Sequence, residues 1–205
     1  MTPKYLWLVA LVALCTPAIQ SLNCVYLDHT ILENVKLLGS TLTGFPLRCL
    51  KDITDFQFSK EILPYLQHMK KDINAISYRI SALALTIFNP KGATSQVKEE
   101  HLERIRSGLF DQLRQARECF VEEERENREE ASPSQHPHSG DFLTVYLELS
   151  NYFFRIKMFL KNKKYSFCAW KIVAAEIRRC FIVFYKFKRL LKMKSESPTF
   201  KQELK

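Results

Sequence analysis

In SFCAWKIVAAEIRRCFIVFYKFKRLL (residues 166–191), apolar side chains return at Trp170, Val173, Ile177, Cys180, Phe184, Phe187 and Leu191. Steps of three and four are the repeat of one helix face, and no period-2 alternation competes with them. The stretch holds no Gly or Pro to interrupt it, and Ser166 is placed to cap its start. The pattern predicts a long amphipathic helix that needs other helices to cover it.

Upstream, the same spacing predicts a fourth helix on Phe142, Tyr146, Leu149, Phe153, Ile156 and Leu160, with Asp141 as a cap. The link between the two is about five residues, so they run antiparallel. Leu102, Ile105, Leu109, Leu113, Ala116 and Phe120 predict a third helix, with Glu99, Glu100 and Glu103 where the dipole favours acids. Leu66, Met69, Ile73, Ile76, Ile80, Leu83 and Ile87 predict the longest helix, with Pro64 in its first turn and Asn89-Pro90 at its end. Ile31, Val35, Leu38 and Leu42 predict the first. Two connections are long, residues 43–63 and residues 121–140 (VEEERENREEASPSQHPHSG). Five helices with long crossovers imply an all-α, up-up-down-down bundle. The acidic segment 122–140, which ends in Pro, Ser and His, is expected to be a flexible loop.

The N-terminus reads as an export signal. Lys4 precedes the apolar run Leu6 to Leu14, Pro17 breaks it, and Ser21 is a small residue at a plausible cleavage point. Nine apolar residues are far short of the roughly 20 that span a bilayer, and no later stretch is longer. Residues 1–21 are therefore expected to be removed, leaving residues 22–205 as one secreted domain. In an oxidising compartment most of Cys24, Cys49, Cys119, Cys168 and Cys180 should pair, and an odd count leaves one thiol over. Spacing alone leaves the pairing open, and it contains no zinc motif. Cys180 lies on the core stripe of the last helix, so its thiol is expected to be buried.

No nucleophile elbow, phosphate loop, zinc-protease motif or dinucleotide fingerprint occurs in the 205 residues. Neither an enzyme nor a cofactor is expected. The formal charge of +9 is lopsided. Residues 152–205 carry 15 Lys and Arg against 3 Glu, while residues 22–151 carry 15 basic and 19 acidic residues. Lys186, Lys188, Arg189, Lys192 and Lys194, interleaved with apolar residues, are candidates for holding heparan sulfate, another polyanion or an anionic membrane. The plainer alternative is a solvated, dipole-favoured helix end and basic tail. Without an aromatic stacking platform, nucleic acid is not an expected partner.

KNKKYSFCAWKIVAAEIRRC (residues 161–180) resembles the hallmark segment of the type I interferons, with Cys168, Ala169, Trp170, Val173, Glu176, Ile177 and Arg179 in the family's pattern. RCLKDITDFQF (residues 48–58) is similar to the family's first crossover, and Cys180-Phe181 with FYKF (residues 184–187) resembles one subtype in particular. The resemblance implies a secreted helical cytokine that engages both chains of the type I interferon receptor and signals through Janus kinases to antiviral genes. It implies the bridges Cys24–Cys119 and Cys49–Cys168. It also implies a high-affinity receptor site on the first crossover and one face of the last helix. Leu50, Ala175 and Arg179 match family positions there. Ile53 and Ala174 stand where other members carry arginine, Arg178 where they carry an apolar residue, and Ile182 where they carry serine. Arg178 and Ile182 join Leu50, Ala175 and Arg179 as candidate contacts, because their spacing keeps them off the core stripe. The low-affinity chain is expected on the second, third and fourth helices.

Overall fold

The computed structural model describes residues 24, 26–40, 44–66, 69, 72–89, 99–130 and 140–196. The expected export signal, Leu42, residues 131–139 and the tail beyond residue 196 lie outside the described residues. Helix α1 covers 26–40. The first crossover contains a 3-10 helix, Leu47–Asp52, and two single-turn helices, α2 (Phe58–Glu61) and α3 (Leu63–Leu66). Helices α4 (Ile73–Phe88), α5 (Glu99–Glu130), α6 (Gly140–Asn162) and α7 (Phe167–Glu196) follow. No strand occurs among the described residues, and no described helix is long and apolar enough to cross a membrane.

Cross-helix contacts set the directions. Thr30 meets Gln115 and Asn34 meets Gly108, so α1 and α5 are antiparallel. Asp28 meets Lys188 and Val35 meets Arg178, so α1 and α7 are antiparallel too. Gln112 reaches Ser81 and Arg106 reaches the Phe88 carbonyl, which opposes α4 to α5. Thus α1, α4, α5 and α7 run up, up, down, down. Helix α6 runs upward, joins the descending α7 through a four-residue link, 163–166, and lies against α4 and α7. Ser166 caps α7 as expected, its Oγ accepting the Ala169 N–H at 3.3 Å.

The core is the inner faces of these helices. Trp170, Val173, Ile177, Cys180 and Phe184 of α7 are all buried, and Trp170 stacks on Phe88 at 5.7 Å. Each large apolar side chain so buried contributes roughly 1.5–3 kcal/mol.

Three sequence expectations differ from the structure. The second helix is interrupted. Leu66, Met69 and Ile73 are buried in series, but Pro64 lies in the first turn of α3 and Asp72 takes the N-cap position of α4. Both residue types favour helix starts over interiors, and they outweigh a continuous apolar pattern. Helix α5 is the longest described element at 32 residues and runs on to Glu130, through the acidic first part of the segment read as loop. Glu and Arg are strong helix formers, and a charge run without Gly or Pro gives no stop signal. Helix α6 buries Leu149, Phe153, Ile156 and Leu160 as expected, but its inward face is wider than the expected stripe and shifted at its start. Val145 and Tyr152 enter the core, while Tyr146 lies at its edge with the Arg79 guanidinium 3.9 Å from its ring. Apolar residues surround α6 on most sides, so spacing alone does not choose the inward face.

Candidate functional site

The site is built on the 3-10 helix of the crossover and the outer face of α7. With three residues per turn, side chains at i and i+3 eclipse. Leu47 and Leu50 therefore share a face, which Ile53 continues just past the helix end. They are 82%, 51% and 58% exposed. Cys49, between them, points the other way, is fully buried, and is bonded to Cys168 in the first turn of α7. The bridge thus fastens the crossover to α7 with its aliphatic side outward. Asp52 pairs with Lys163 at 2.8 Å, and the Arg48 guanidinium lies 5.9 Å from the Phe167 ring centre. The second bridge joins Cys24 to Cys119, so both implied pairings are present and Cys180 is free and buried.

On α7, Ala175, Arg179 and Ile182 are partly exposed and recur at helical spacing along one side. Arg179 donates from Nε to Glu176 Oε2 at 2.9 Å and from Nη2 to Oε1 at 2.5 Å. Its guanidinium lies 5.6 Å from the ring centre of Phe58, which brings the far end of the crossover beneath it. The buried Tyr152 hydroxyl donates to Glu176 Oε1 at 2.8 Å. Burial, above all, raises the Tyr152 pKa, so the phenol remains a protonated donor. Donating to the Glu176 carboxylate raises the Arg179 pKa above its ordinary value. Cys180 is also shifted up, chiefly by burial and then by Glu176, so its thiol stays neutral.

Arg178 and Ala174 depart from the expected face. Arg178 is turned toward α1, donating from Nε to the Val35 carbonyl at 3.1 Å. Gly39 makes room for it: a Cβ there would sit 3.0 Å from Arg178 Nε. Ala174 is 3% exposed. Helix α1 covers this side of α7, which spacing within α7 alone could not reveal.

The basic cluster divides in the same way. Lys186, Arg189 and Lys192 are exposed, with Arg189 Nη1 3.4 Å from the Tyr185 hydroxyl. Lys188 is not part of that surface, since its Nζ lies 2.8 Å from Asp28 of α1. It follows Phe184 by four and Phe181 by seven, on the core stripe, and that spacing was a usable signal. The side chain of Lys194 lies outside the described residues. Leu47 and Tyr152 also went unnominated. The i, i+3, i+6 spacing of Leu47, Leu50 and Ile53 would have found the first, while nothing local marks the second.

Among the described residues no group of three or more His, Cys, Asp or Glu is placed to hold a metal. A helical bundle with two bridges and a mixed aliphatic and basic face defines a helical cytokine. The interferon alpha/beta domain model matches residues 25–191, and the chain belongs to that family, the type I interferons. It is 78% identical to mouse (Mus musculus) interferon kappa over the full length of both chains. Human interferon kappa is 37% identical over 95% of this chain and 97% of its own. Horse (Equus caballus) interferon alpha-2 is 36% identical over 85% of this chain and 91% of its own. The subtype that residues 180–187 resemble is the kappa one. The protein is an interferon cytokine and not an enzyme.

Proposed function

We propose that the mature chain, after loss of residues 1–21, is secreted and binds both chains of the type I interferon receptor. Binding triggers Janus kinase signalling and antiviral and immune gene expression. The high-affinity chain docks on Leu50 with Ala175, Arg179 and Ile182, joined by Leu47 and Ile53. Arg178 supports this face from behind through its bond to α1. The observation that carries the reading is the aliphatic side of the 3-10 helix, held outward by Cys49–Cys168 at the start of α7, the helix that carries the partly exposed Arg179 further along. Apolar anchors next to an arginine are the composition of binding hot spots. The low-affinity chain meets α4, α5 and α6. Reporter cells treated with purified mature protein should induce interferon-response genes, and an antibody that blocks the receptor should abolish the response. Induction that survives the block overturns the reading.

A second reading concerns the exposed Lys186, Arg189 and Lys192 on the C-terminal half of α7. They supply positive charge for retention on heparan sulfate or an anionic membrane, alongside receptor binding. Neutralising them should lower the salt needed for elution from heparin.

A further inference from the structure

We infer that Tyr152 is a positioning residue for Arg179, acting through Glu176, so that a hydroxyl inside the core sets the geometry of a charged group on the receptor-facing surface. The inference rests on the receptor reading above and extends it to a residue that no receptor would touch.

An arginine on a solvated helix face has many rotamers, and a binding partner must normally immobilise it. A glutamate three residues earlier does little to prevent this when both side chains are free to swing. Here Glu176 is not free. Its side chain is 12% exposed, and Oε1 accepts the Tyr152 hydroxyl at 2.8 Å. Tyr152 has no freedom of its own: it is fully buried, with ring centres at 5.0 Å to Phe58 and 5.1 Å to Phe153. The carboxylate so held presents both oxygens to Arg179, one to Nε and one to Nη2. This fork-to-fork arrangement fixes the guanidinium plane as well as its position.

Phe58 closes the arrangement. It contacts the Tyr152 ring on one side and lies under the Arg179 guanidinium on the other. Phe58 belongs to α2, and Arg155 of α6 secures the neighbouring chain by donating to the Phe56 carbonyl and to Glu61. Three elements, α2, α6 and α7, therefore converge on one side chain. Positioning a group before binding reduces the entropy lost when it binds.

Tyr152→Phe keeps the ring and its packing and removes only the donor. Two readouts test it, with melting temperature as a folding check. The first is solvent exchange of the Arg179 Nε–H, followed by nitrogen-edited NMR on the free protein. The second is affinity for the high-affinity receptor ectodomain, in the wild-type and Arg179→Ala backgrounds. Exchange should quicken, and affinity should fall about three- to tenfold, a fraction of the roughly ten- to hundredfold that one hydrogen bond to a charged group is worth, because the effect on the receptor is indirect. In the Arg179→Ala background Tyr152→Phe should change affinity no further. Glu176→Gln should act in the same direction as Tyr152→Phe. An unchanged Nε–H exchange overturns the inference whatever the receptor does. An equal loss of affinity in both backgrounds also overturns it, because Tyr152 would then act on the fold and not on Arg179. If Arg179→Ala binds like wild type while the Nε–H still responds to Tyr152→Phe, the receptor reading fails and the positioning stands.

Discussion

Asn34 Nδ2 donates to the Gly108 carbonyl at 2.9 Å, and a Cβ on Gly108 would sit 2.3 Å from Asn34 Oδ1. The two helices meet through a residue with no side chain. The same Asn34 amide donates to Gln112 at 2.7 Å, Gln112 to Ser81 at 3.0 Å, and Ser81 to the Ser77 carbonyl at 2.8 Å. A polar ladder thus joins α1, α5 and α4 within the core. Alanine at 108 is the better helix former by about 1 kcal/mol, but overpacking typically costs about 1–3 kcal/mol. Gly108→Ala should therefore lower stability in urea denaturation by roughly 0–2 kcal/mol net, and it should also disturb Asn34. A gain equal to the propensity term would show that α1 yields without cost.

The Lys188–Asp28 pair joins the C-terminal half of α7 to α1, with side chains only 13% and 29% exposed. Removing one partner of a partly buried pair costs more than breaking a surface bridge, about 1–3 kcal/mol here. Lys188→Gln should lower the melting temperature and leave heparin elution nearly unmoved. Lys186→Gln with Arg189→Gln should do the reverse.

The bridges close loops with separations of 95 and 119 residues. Chain-entropy estimates give each about 4–5 kcal/mol as an upper figure. Their functional consequences should differ. Replacing Cys49 and Cys168 by serine frees the 3-10 helix from α7, so receptor affinity should fall further than after replacing Cys24 and Cys119. Similar losses for the two double variants would mean that the crossover keeps its place without the bond.

Alkali should unfold the protein earlier than a bundle lacking its buried acids. Burial raises the Cys180 and Tyr152 pKa values above their ordinary 9.0 and 10.0. The folded state then holds protons that the unfolded state has released, so stability is full below about pH 9 and falls as pH rises beyond it. Cys180→Ala with Tyr152→Phe should flatten that fall. In the native protein a thiol reagent should label Cys180 slowly, and quickly once urea is added.

Leu47, the most exposed apolar residue of the crossover, should be a contact. Leu47→Ser should leave the stability within about 0.5 kcal/mol of wild type. It should weaken receptor binding in surface plasmon resonance by about tenfold, the scale of a moderate hot spot. Unaltered binding would confine the aliphatic contact to Leu50 and Ile53.

Periodicity identified α1, α5 and α7 because each has one apolar stripe and a polar remainder. In α6 it found Leu149, Phe153, Ile156 and Leu160 but not Val145 or Tyr152, because apolar residues such as Leu143, Leu147 and Phe154 also occupy the exposed side. It ran α3 into α4 because Leu66, Met69 and Ile73 keep helical spacing across a break in the helix. At the site, Arg179 and Leu50 were legible through family resemblance. The diversion of Arg178 was not, because it depends on α1, a helix more than 130 residues away in the chain; for Lys188 the spacing hinted at the core side, but its partner Asp28 did not show. Tyr152 is the same case: its role exists only once α2, α6 and α7 have met.

The two bridges interleave along the chain, since 24 and 49 are each joined past an intervening cysteine to 119 and 168. On the export proposed above, Cys24 and Cys49 are the first two thiols of the mature chain to enter the oxidising lumen, and each must be kept from the other. The 15-residue helix 26–40 lies between them. At 1.5 Å per residue it is about 22 Å long, so the nine residues to Cys49 would have to double back along nearly their full reach of roughly 30 Å to bond Cys24. Early formation of α1 would act as a spacer against the wrong bond. The second native bond has to wait until residue 168 has been delivered, and by then Cys180 follows closely and is withdrawn into the core as α7 packs. Yield on secretion should therefore respond to the helicity of α1 more strongly than the finished protein's stability does.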